Sequence, residues 1–111
     1  MKSFVFLAMT MAAAPAFADV GLTLALPGAT ALTSQTYRCG ESAFEVRYIT
    51  AGGNSLAVLP VEGEERIFVN VISGSGARYA SGPYIWWSKG DSATLESEME
   101  EGSLIECQAA D

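Results

Sequence analysis

The sequence predicts an all-β domain, an antiparallel barrel or sandwich of about seven to nine short strands. Three observations carry this prediction. Turn-forming residues recur at short intervals, from Pro27-Gly28 to Gly102. The stretches between these turns have the length of strands, and several alternate apolar and polar residues. No stretch combines sustained helical spacing of apolar residues with helix caps.

The N-terminal part of the predicted domain contains two candidate strands. The stretch GLTLAL at residues 21–26 lies within residues 19–36, which we interpret as an N-terminal arm or an edge strand. The next stretch alternates Phe44, Val46 and Tyr48 with charged residues. Such alternation is typical of a strand with one face toward the core and the other toward water.

Two strands joined by a charged turn are predicted next. They are SLAVLPV at residues 55–61 and RIFVNVI at residues 66–72, and in the second of these Ile67, Val69 and Val71 share one face. Because side chains alternate across a strand, the three apolar residues form a continuous stripe.

The remaining candidate strands follow the loop SGSG. In YIWWS, Trp86 and Trp87 must point to opposite sides of the sheet, so we expect one in the core and the other at a rim or partner surface. The last third alternates more weakly, in ATLESEM at residues 93–99 and SLIECQ at residues 103–108. The first of these two could also form a short helix.

The first eighteen residues predict export. Lys2 precedes an apolar run that ends in an A-x-A cleavage site at Ala18. The run is shorter than the roughly 20 residues that span a bilayer, and no cysteine follows the cleavage site, so neither a transmembrane nor a lipid anchor is expected. We therefore predict a signal peptide over residues 1–18, a single domain over residues 19–111, and a soluble exported protein, which this signal alone assigns either to a bacterial periplasm or to full secretion.

The two cysteines, Cys39 and Cys107, predict one structural disulfide. An oxidising compartment favours such a bond, and the chain contains no histidine, which disfavours a metal site. No phosphate-binding or dinucleotide-binding motif is present either, so we expect neither a metal nor a cofactor. Closing so long a loop stabilises a small domain by about 4 kcal/mol in the chain-entropy model.

The charge of the chain limits its partners. The formal net charge is −7 and becomes −8 when Lys2 is removed with the signal peptide. Nucleic acid is then a poor partner, because phosphate contacts need a cationic surface. A strong negative charge favours solubility and attraction toward basic partners.

Catalysis is not expected. Without histidine, neither a Ser-His-Asp nor a Cys-His site can form. A dyad of Ser75 and Lys89 is formally possible, but the lysine would have to be buried and neutral, and the neighbouring Gly90 and Asp91 indicate an exposed turn. The acidic residues cluster in turns such as residues 98–101, which is typical of a solvated surface.

The loop SGSGARY, residues 73–79, is either a simple hairpin connection or a binding loop. Gly74 and Gly76 permit unusual backbone angles and leave space around Ser75, so its hydroxyl can project outward. A small ligand-binding barrel of the cell envelope is the alternative function, motivated by the strand count and the aromatic pair Trp86-Trp87. That alternative predicts a sizeable interior cavity.

Several motifs together resemble the bacterial inhibitors of C-type lysozyme, a family with a membrane-bound lipoprotein branch and a periplasmic branch. They are S-G-x-x-Y at residues 75–79 and Y-x-x-W-S/T-K-G at residues 84–90, preceded by Y-x-C at residues 37–39 and F-x-V-x-Y at residues 44–48 and followed by Cys107. Ser88 stands where the family often has threonine. The resemblance covers residues 37–107, and the missing lipid-anchor cysteine favours the periplasmic branch.

The resemblance implies a small antiparallel β-barrel of about eight strands, stapled by one disulfide, that blocks the cleft of C-type lysozyme, a basic host protein. Ser75 and Lys89 would contact the catalytic carboxyl groups. The wider contact set comprises Gly76, Arg78, Tyr79, Tyr84, Ser88 and Gly90. Residues 21–26 could complete the barrel or pair across a homodimer.

Overall fold

The chain folds into a closed antiparallel barrel of eight strands, as shown by a computed structural model that describes residues 21–110. The strands are β1 (Thr30–Cys39), β2 (Ser42–Ala51), β3 (Asn54–Val61), β4 (Glu64–Val71), β5 (Ala77–Ser81), β6 (Tyr84–Lys89), β7 (Ser92–Ser97) and β8 (Ile105–Ala110). The all-β class, the barrel and the number of strands predicted from the sequence are therefore confirmed.

The predicted signal peptide, residues 1–18, lies outside the described residues. Residues 21–29 form no strand, so GLTLAL is an extended arm that leads into β1 at Thr30. Residues 30–36, which lie in the segment predicted to be an N-terminal arm or an edge strand, belong to β1. Residues 21–110 contain no helix long and apolar enough to cross a membrane.

Each strand pairs with its sequence neighbours, and β1 pairs with β8 to close the barrel. In such an up-and-down order, alternate connections lie at the same end of the barrel. The β2–β3, β4–β5 and β6–β7 connections therefore share one end, and the other four connections share the opposite end. The β4–β5 and β6–β7 connections, which are separated in sequence by β5 and β6, are therefore neighbours at one end of the barrel.

The barrel interior is filled by side chains. Its largest fully buried members are Trp86, Phe68, Leu59, Val46 and Cys107. Because small barrels close around their inward-facing residues, a core of this kind leaves no room for a ligand. The larger pockets of residues 21–110 are open grooves at the surface, whereas the ligand-binding alternative requires a sizeable cavity inside the barrel.

A short chain of hydrogen bonds satisfies the polar atoms of the aromatic core. Trp86 Nε1 donates to Tyr48 Oη at 2.9 Å, and the hydroxyl groups of Tyr48 and Tyr37 are bonded to each other at 2.8 Å. The ring of Tyr37 also meets that of Trp86 edge to face, with centroids 4.9 Å apart. Burial raises the pKa of the Tyr37 hydroxyl well above its usual value, with the bond to Tyr48 adding to the effect.

Together with the β4–β5 junction, the seam between β1 and β8 has the fewest residue pairs in the barrel. Only three residue pairs join the two strands, whereas ten join β1 to β2. The disulfide between Cys39 and Cys107 crosses this seam and links positions 68 residues apart in sequence. The predicted disulfide is confirmed, and it covalently closes the barrel where few hydrogen bonds do so.

The outer face of β2 to β4 carries a largely apolar groove with the ion pair of Arg47 and Glu65 in its lining. Ile67 and Val69, which share a face as the alternation predicts, point outward and are half exposed, whereas Phe68 fills the interior. Leu22, Leu24 and Leu26 of the arm lie beside this face, and the groove between them has a volume of about 780 Å³. The arm is joined to the barrel where Gly52 N donates to Ala29 O at 3.0 Å.

Candidate functional site

The β4–β5 loop and the β6–β7 turn lie side by side at one end of the barrel. They carry Ser75 and Lys89, and strands β5 and β6 connect them. In the β5–β6 register Ala77 is opposite Ser88, so the residue before Ala77 lies next to the residue after Ser88. The pairing of β5 with β6 thus brings the loop that carries Ser75 next to the turn that carries Lys89, although the two residues are fourteen positions apart in sequence.

Ser75 lies at the exposed tip of the β4–β5 loop, residues 72–76. The loop is tied internally, because Ser73 Oγ donates to Gly76 O at 3.2 Å. Gly76 has a φ of 64°, in the left-handed region that favours glycine. A Cβ at Gly76 would clash with Ser88 O and would lie 2.7 Å from Lys89 Cγ. The loop therefore packs directly against the strand that carries Lys89.

Lys89 is exposed at the end of β6, where the tight turn through Gly90 begins. Ser92 Oγ donates to Lys89 O at 3.0 Å and so fixes the backbone of the turn. Gly90 has a φ of 59°, and an added Cβ there would meet no atom within 4 Å. Glycine at position 90 is therefore favoured by the backbone conformation of the turn and not by close packing, and the space beside Lys89 is open.

Trp87 connects the loop and the turn. Its indole Nε1 donates to Ser75 O at 2.8 Å, and Lys89 Nζ lies 4.1 Å from the centroid of the Trp87 ring. The guanidinium of Arg78 lies 5.7 Å from the same centroid and donates to Glu98 Oε1 at 3.2 Å. Both cations are within the distance at which an aromatic face attracts positive charge.

Comparison with known proteins assigns this arrangement to a family. The sequence model of the family described as "Membrane-bound lysozyme-inhibitor of c-type lysozyme" matches residues 37–103. This match includes both the Ser75 loop and the Lys89 turn, and it covers more than half of the chain. The chain belongs to this family of lysozyme inhibitors.

Two curated relatives carry the name "Membrane-bound lysozyme inhibitor of C-type lysozyme". The Pseudomonas aeruginosa protein is 48% identical over 83 residues, which are 71% of this chain and 65% of that protein. The Cupriavidus necator protein is 40% identical over 78 residues, which are 66% of this chain and 62% of that protein. The matched segment thus spans just under two thirds of the length of these relatives.

A solved structure shares the fold. The crystal structure of Pseudomonas aeruginosa MliC in complex with hen egg white lysozyme has a TM-score of 0.71 and 43% sequence identity, covering 84% of this chain and 98% of that chain. The family inferred from the sequence motifs is confirmed.

The other members of the sequence-predicted contact set are distributed unevenly. Ser88 is half buried beside the loop, and its hydroxyl lies 3.5 Å from Ala77 O, at the limit of a hydrogen bond. Tyr79 is buried and packs against Tyr48 inside the barrel, where burial raises the pKa of its hydroxyl. Tyr79 therefore supports β5 from within the barrel and is not exposed with the loop.

Tyr84 lies far from the Ser75 loop. It begins β6, five residues before Lys89, and a strand of that length spans about 16 Å. Its ring lies under the guanidinium of Arg66, 4.9 Å away, at the opposite end of the barrel. The structure thus groups Ser75, Gly76, Arg78, Ser88, Lys89 and Gly90 at one end and leaves Tyr84 outside the group.

Two members of this region have no place in the sequence-predicted contact set. The sequence predicts one of the two tryptophans in the core and the other at a rim, but no sequence pattern indicates the bond from Trp87 to the backbone carbonyl of Ser75. Ile72 ends the strand predicted over residues 66–72, yet in the structure it opens the loop and is 96% exposed. An apolar residue directly before SGSG is the signal that could have identified it.

The geometry does not meet the requirements of a Ser-Lys nucleophile. Such a dyad needs a desolvated lysine in hydrogen-bond contact with the serine hydroxyl. Here Lys89 is exposed and lies over an aromatic ring, and Ser75 is exposed at the tip of a loop. The arrangement offers a hydroxyl and an ammonium group to an external partner instead.

Proposed function

We propose that this protein inhibits C-type lysozyme by placing Ser75 and Lys89 in the cleft of the enzyme, against its catalytic carboxyl groups. The observation that supports the proposal is the position of these two residues. Both are exposed, and adjacent connections present them at the same end of a rigid barrel. The Pseudomonas aeruginosa relative in complex with hen egg white lysozyme indicates the partner.

The chemistry of the two groups suits the proposed target. Lysozyme holds one glutamic acid protonated in an apolar pocket and one aspartate ionised. A serine hydroxyl both donates and accepts hydrogen bonds, so Ser75 can satisfy a carboxyl group in either state. The ammonium group of Lys89 only donates and carries a fixed positive charge, which matches the ionised aspartate. Inhibition then requires no covalent step, because the two side chains occupy the space of the scissile sugar.

The acidic surface supports association with a basic partner. The chain has thirteen acidic and six basic residues, and removal of Lys2 would leave Lys89 as the single lysine. Opposite net charges accelerate diffusional encounter, whereas close contacts determine how long the complex lasts. Lys89 would therefore act as a local cation on a negatively charged protein, directed at one carboxylate.

The test is inhibition of cell-wall lysis by hen egg white lysozyme. The wild-type protein should abolish lysis when added in micromolar excess, and undiminished lysis would refute the proposal. Ser75→Ala should weaken inhibition about tenfold, because it removes one hydrogen bond. Lys89→Ala should weaken it about thirtyfold or more, because it leaves a carboxylate buried without a partner.

Matched controls separate the site from general effects. Arg47→Ala removes one positive charge from an exposed position on β2, on the far side of the barrel from β6, so it changes the net charge as Lys89→Ala does. Ser42→Ala removes an exposed hydroxyl at the opposite end of the barrel. Both controls should inhibit like the wild type. If Lys89→Ala and Arg47→Ala weaken inhibition equally, net charge rather than the contact of Lys89 accounts for the effect.

We also propose that the protein acts in the cell envelope. The disulfide requires an oxidising compartment, the sequence of residues 1–18 has the features of a signal peptide, and the two relatives are named membrane-bound. Cell fractionation should recover the protein from the envelope, and N-terminal sequencing should begin at Asp19. Recovery of the uncleaved chain from the cytoplasm would contradict this localisation.

A further inference from the structure

Trp87 lies outside the barrel core, directly after a tryptophan that lies inside it. Its neighbour Trp86 is fully buried inside the barrel, whereas Trp87 is half buried on the outer face of β6. The register places Trp87 between Arg78 of β5 and Thr94 of β7. From there its indole reaches the Ser75 loop at one edge and lies beneath the ammonium group of Lys89.

We propose that Trp87 is a positioning residue, which holds the backbone of Ser75 and the ammonium group of Lys89 in their binding geometry before any partner arrives. The effect of Trp87 on inhibition rests on the proposed function, because the two groups that it positions are those assigned to the lysozyme cleft. Trp87 itself contacts neither catalytic carboxyl group in this proposal. It acts through Ser75 and Lys89.

The loop gives a physical reason for such a residue. A connection that contains Gly74 and Gly76 has a large conformational entropy when it is free, and ordering it on binding would reduce affinity. The bond from Trp87 Nε1 to Ser75 O fixes the loop at the residue that carries the functional hydroxyl. Part of the ordering is thereby completed in the free protein.

Lys89 presents the same problem, because its flexible side chain loses rotamer freedom when its ammonium group is held in one place. The ring of Trp87 attracts the ammonium group without neutralising it, so the charge remains available for a carboxylate. The second cation at this ring, Arg78, is engaged by Glu98 at 3.2 Å. Glu98 therefore offsets the repulsion that two neighbouring cations would otherwise exert on each other.

Two substitutions separate the roles of the indole. Trp87→Phe keeps an aromatic face for Lys89 but removes the N–H donor to Ser75, and inhibition of hen egg white lysozyme should weaken about tenfold. Trp87→Leu removes both interactions, and inhibition should weaken about thirtyfold or more. The loss should appear mainly as faster dissociation of the complex. The intact purified protein is used in each case.

Phe44→Leu is the control for a general loss of packing. Phe44 packs against Trp86 in the core, with ring centroids 5.8 Å apart, and does not contact the loop. This variant should lower the thermal midpoint yet inhibit as the wild type does. If Phe44→Leu weakens inhibition as much as Trp87→Leu, loss of stability explains both results and the positioning role is refuted.

Nuclear magnetic resonance of the free protein tests the positioning role without lysozyme. In the wild type, the methylene protons nearest the Lys89 ammonium should be shifted upfield by the ring, and the Trp87 indole N–H should exchange slowly. Trp87→Phe should retain much of the upfield shift, whereas Trp87→Leu should abolish it.

Random-coil shifts for Lys89 in the wild type would overturn the inference, as would unchanged inhibition by Trp87→Leu. If the wild type shows the upfield shift and does not inhibit, the proposed function fails while the positioning of Lys89 by Trp87 stands. The two failures are therefore distinguishable.

Discussion

Gly76→Ala is the sharpest perturbation of the candidate site. Alanine at a φ of 64° lies in the left-handed region, which costs about 1–2 kcal/mol. Its methyl carbon would clash with Ser88 O and lie 2.7 Å from Lys89 Cγ, whereas carbon atoms in contact prefer about 3.5 Å. Relief of the contact requires a displacement of about 0.8 Å, by subtraction of these two carbon–carbon distances.

That displacement affects both functional groups. A shift of this size along the bond between Trp87 Nε1 and Ser75 O would lengthen it from 2.8 Å to about 3.6 Å, where it no longer counts as a hydrogen bond. It would also move the side chain of Lys89. If each disturbance weakens binding about tenfold, Gly76→Ala should weaken inhibition of lysozyme about a hundredfold. The thermal midpoint should fall by about 5–10 °C.

Gly74→Ala provides the control within the same loop. Gly74 lacks a positive φ, and an added Cβ would meet no atom within 4 Å. This variant should inhibit and unfold like the wild type. Inhibition constants from the lysis assay and thermal unfolding followed by circular dichroism measure both properties. Equal inhibition by the two alanine variants would show that the loop binds without the observed packing and would refute the reasoning.

Three further predictions concern the barrel and its charge. Reduction of the disulfide between Cys39 and Cys107 should lower the free energy of unfolding in a denaturant titration by about 4 kcal/mol, and an unchanged midpoint would contradict its role at the seam. Burial raises the pKa values of the Tyr37 and Tyr79 hydroxyl groups. The free energy of unfolding should therefore keep its full value below about pH 10 and fall as the pH rises above it. The absorbance change at 295 nm that Tyr37→Phe removes should appear well above pH 10 in the wild type. Added sodium chloride should slow association with hen egg white lysozyme and leave dissociation nearly unchanged, since the net charge of −7 acts over a distance; a salt-independent association rate would argue against electrostatic attraction.

The strands with strong alternation were predictable from the sequence. Val46 is buried between the half-buried Phe44 and Tyr48, as their spacing indicates, and the two tryptophans point to opposite sides. The N-terminal part of β1 was not identified as a strand. Residues 30–34 pair with β2 but not with β8, so they remain exposed and show no period-two pattern of burial.

The direction of an apolar stripe could not be predicted from alternation alone. Ile67 and Val69 form the more apolar face of β4, yet Phe68 points inward and they point outward. Alternation defines two faces, but which face meets the core depends on the register with neighbouring strands. Phe68 fills the barrel better than Ile67 and Val69 would. We infer that Phe68 sets the register of β4.

The sequence motifs indicate Ser75 and Lys89, which the structure exposes at one end of the barrel, but not the distant position of Tyr84 or the contacts that restrain the loop. The composition of SGSG indicates a flexible loop, and glycine content alone cannot reveal which neighbours restrain it. In the folded chain Gly76 is required because the loop packs tightly, not because it moves. The same residue type that permits flexibility therefore permits the close approach of the loop to β6. Gly76 and Trp87 thus act together: the absence of a side chain at one lets the indole of the other hold Ser75 beside Lys89.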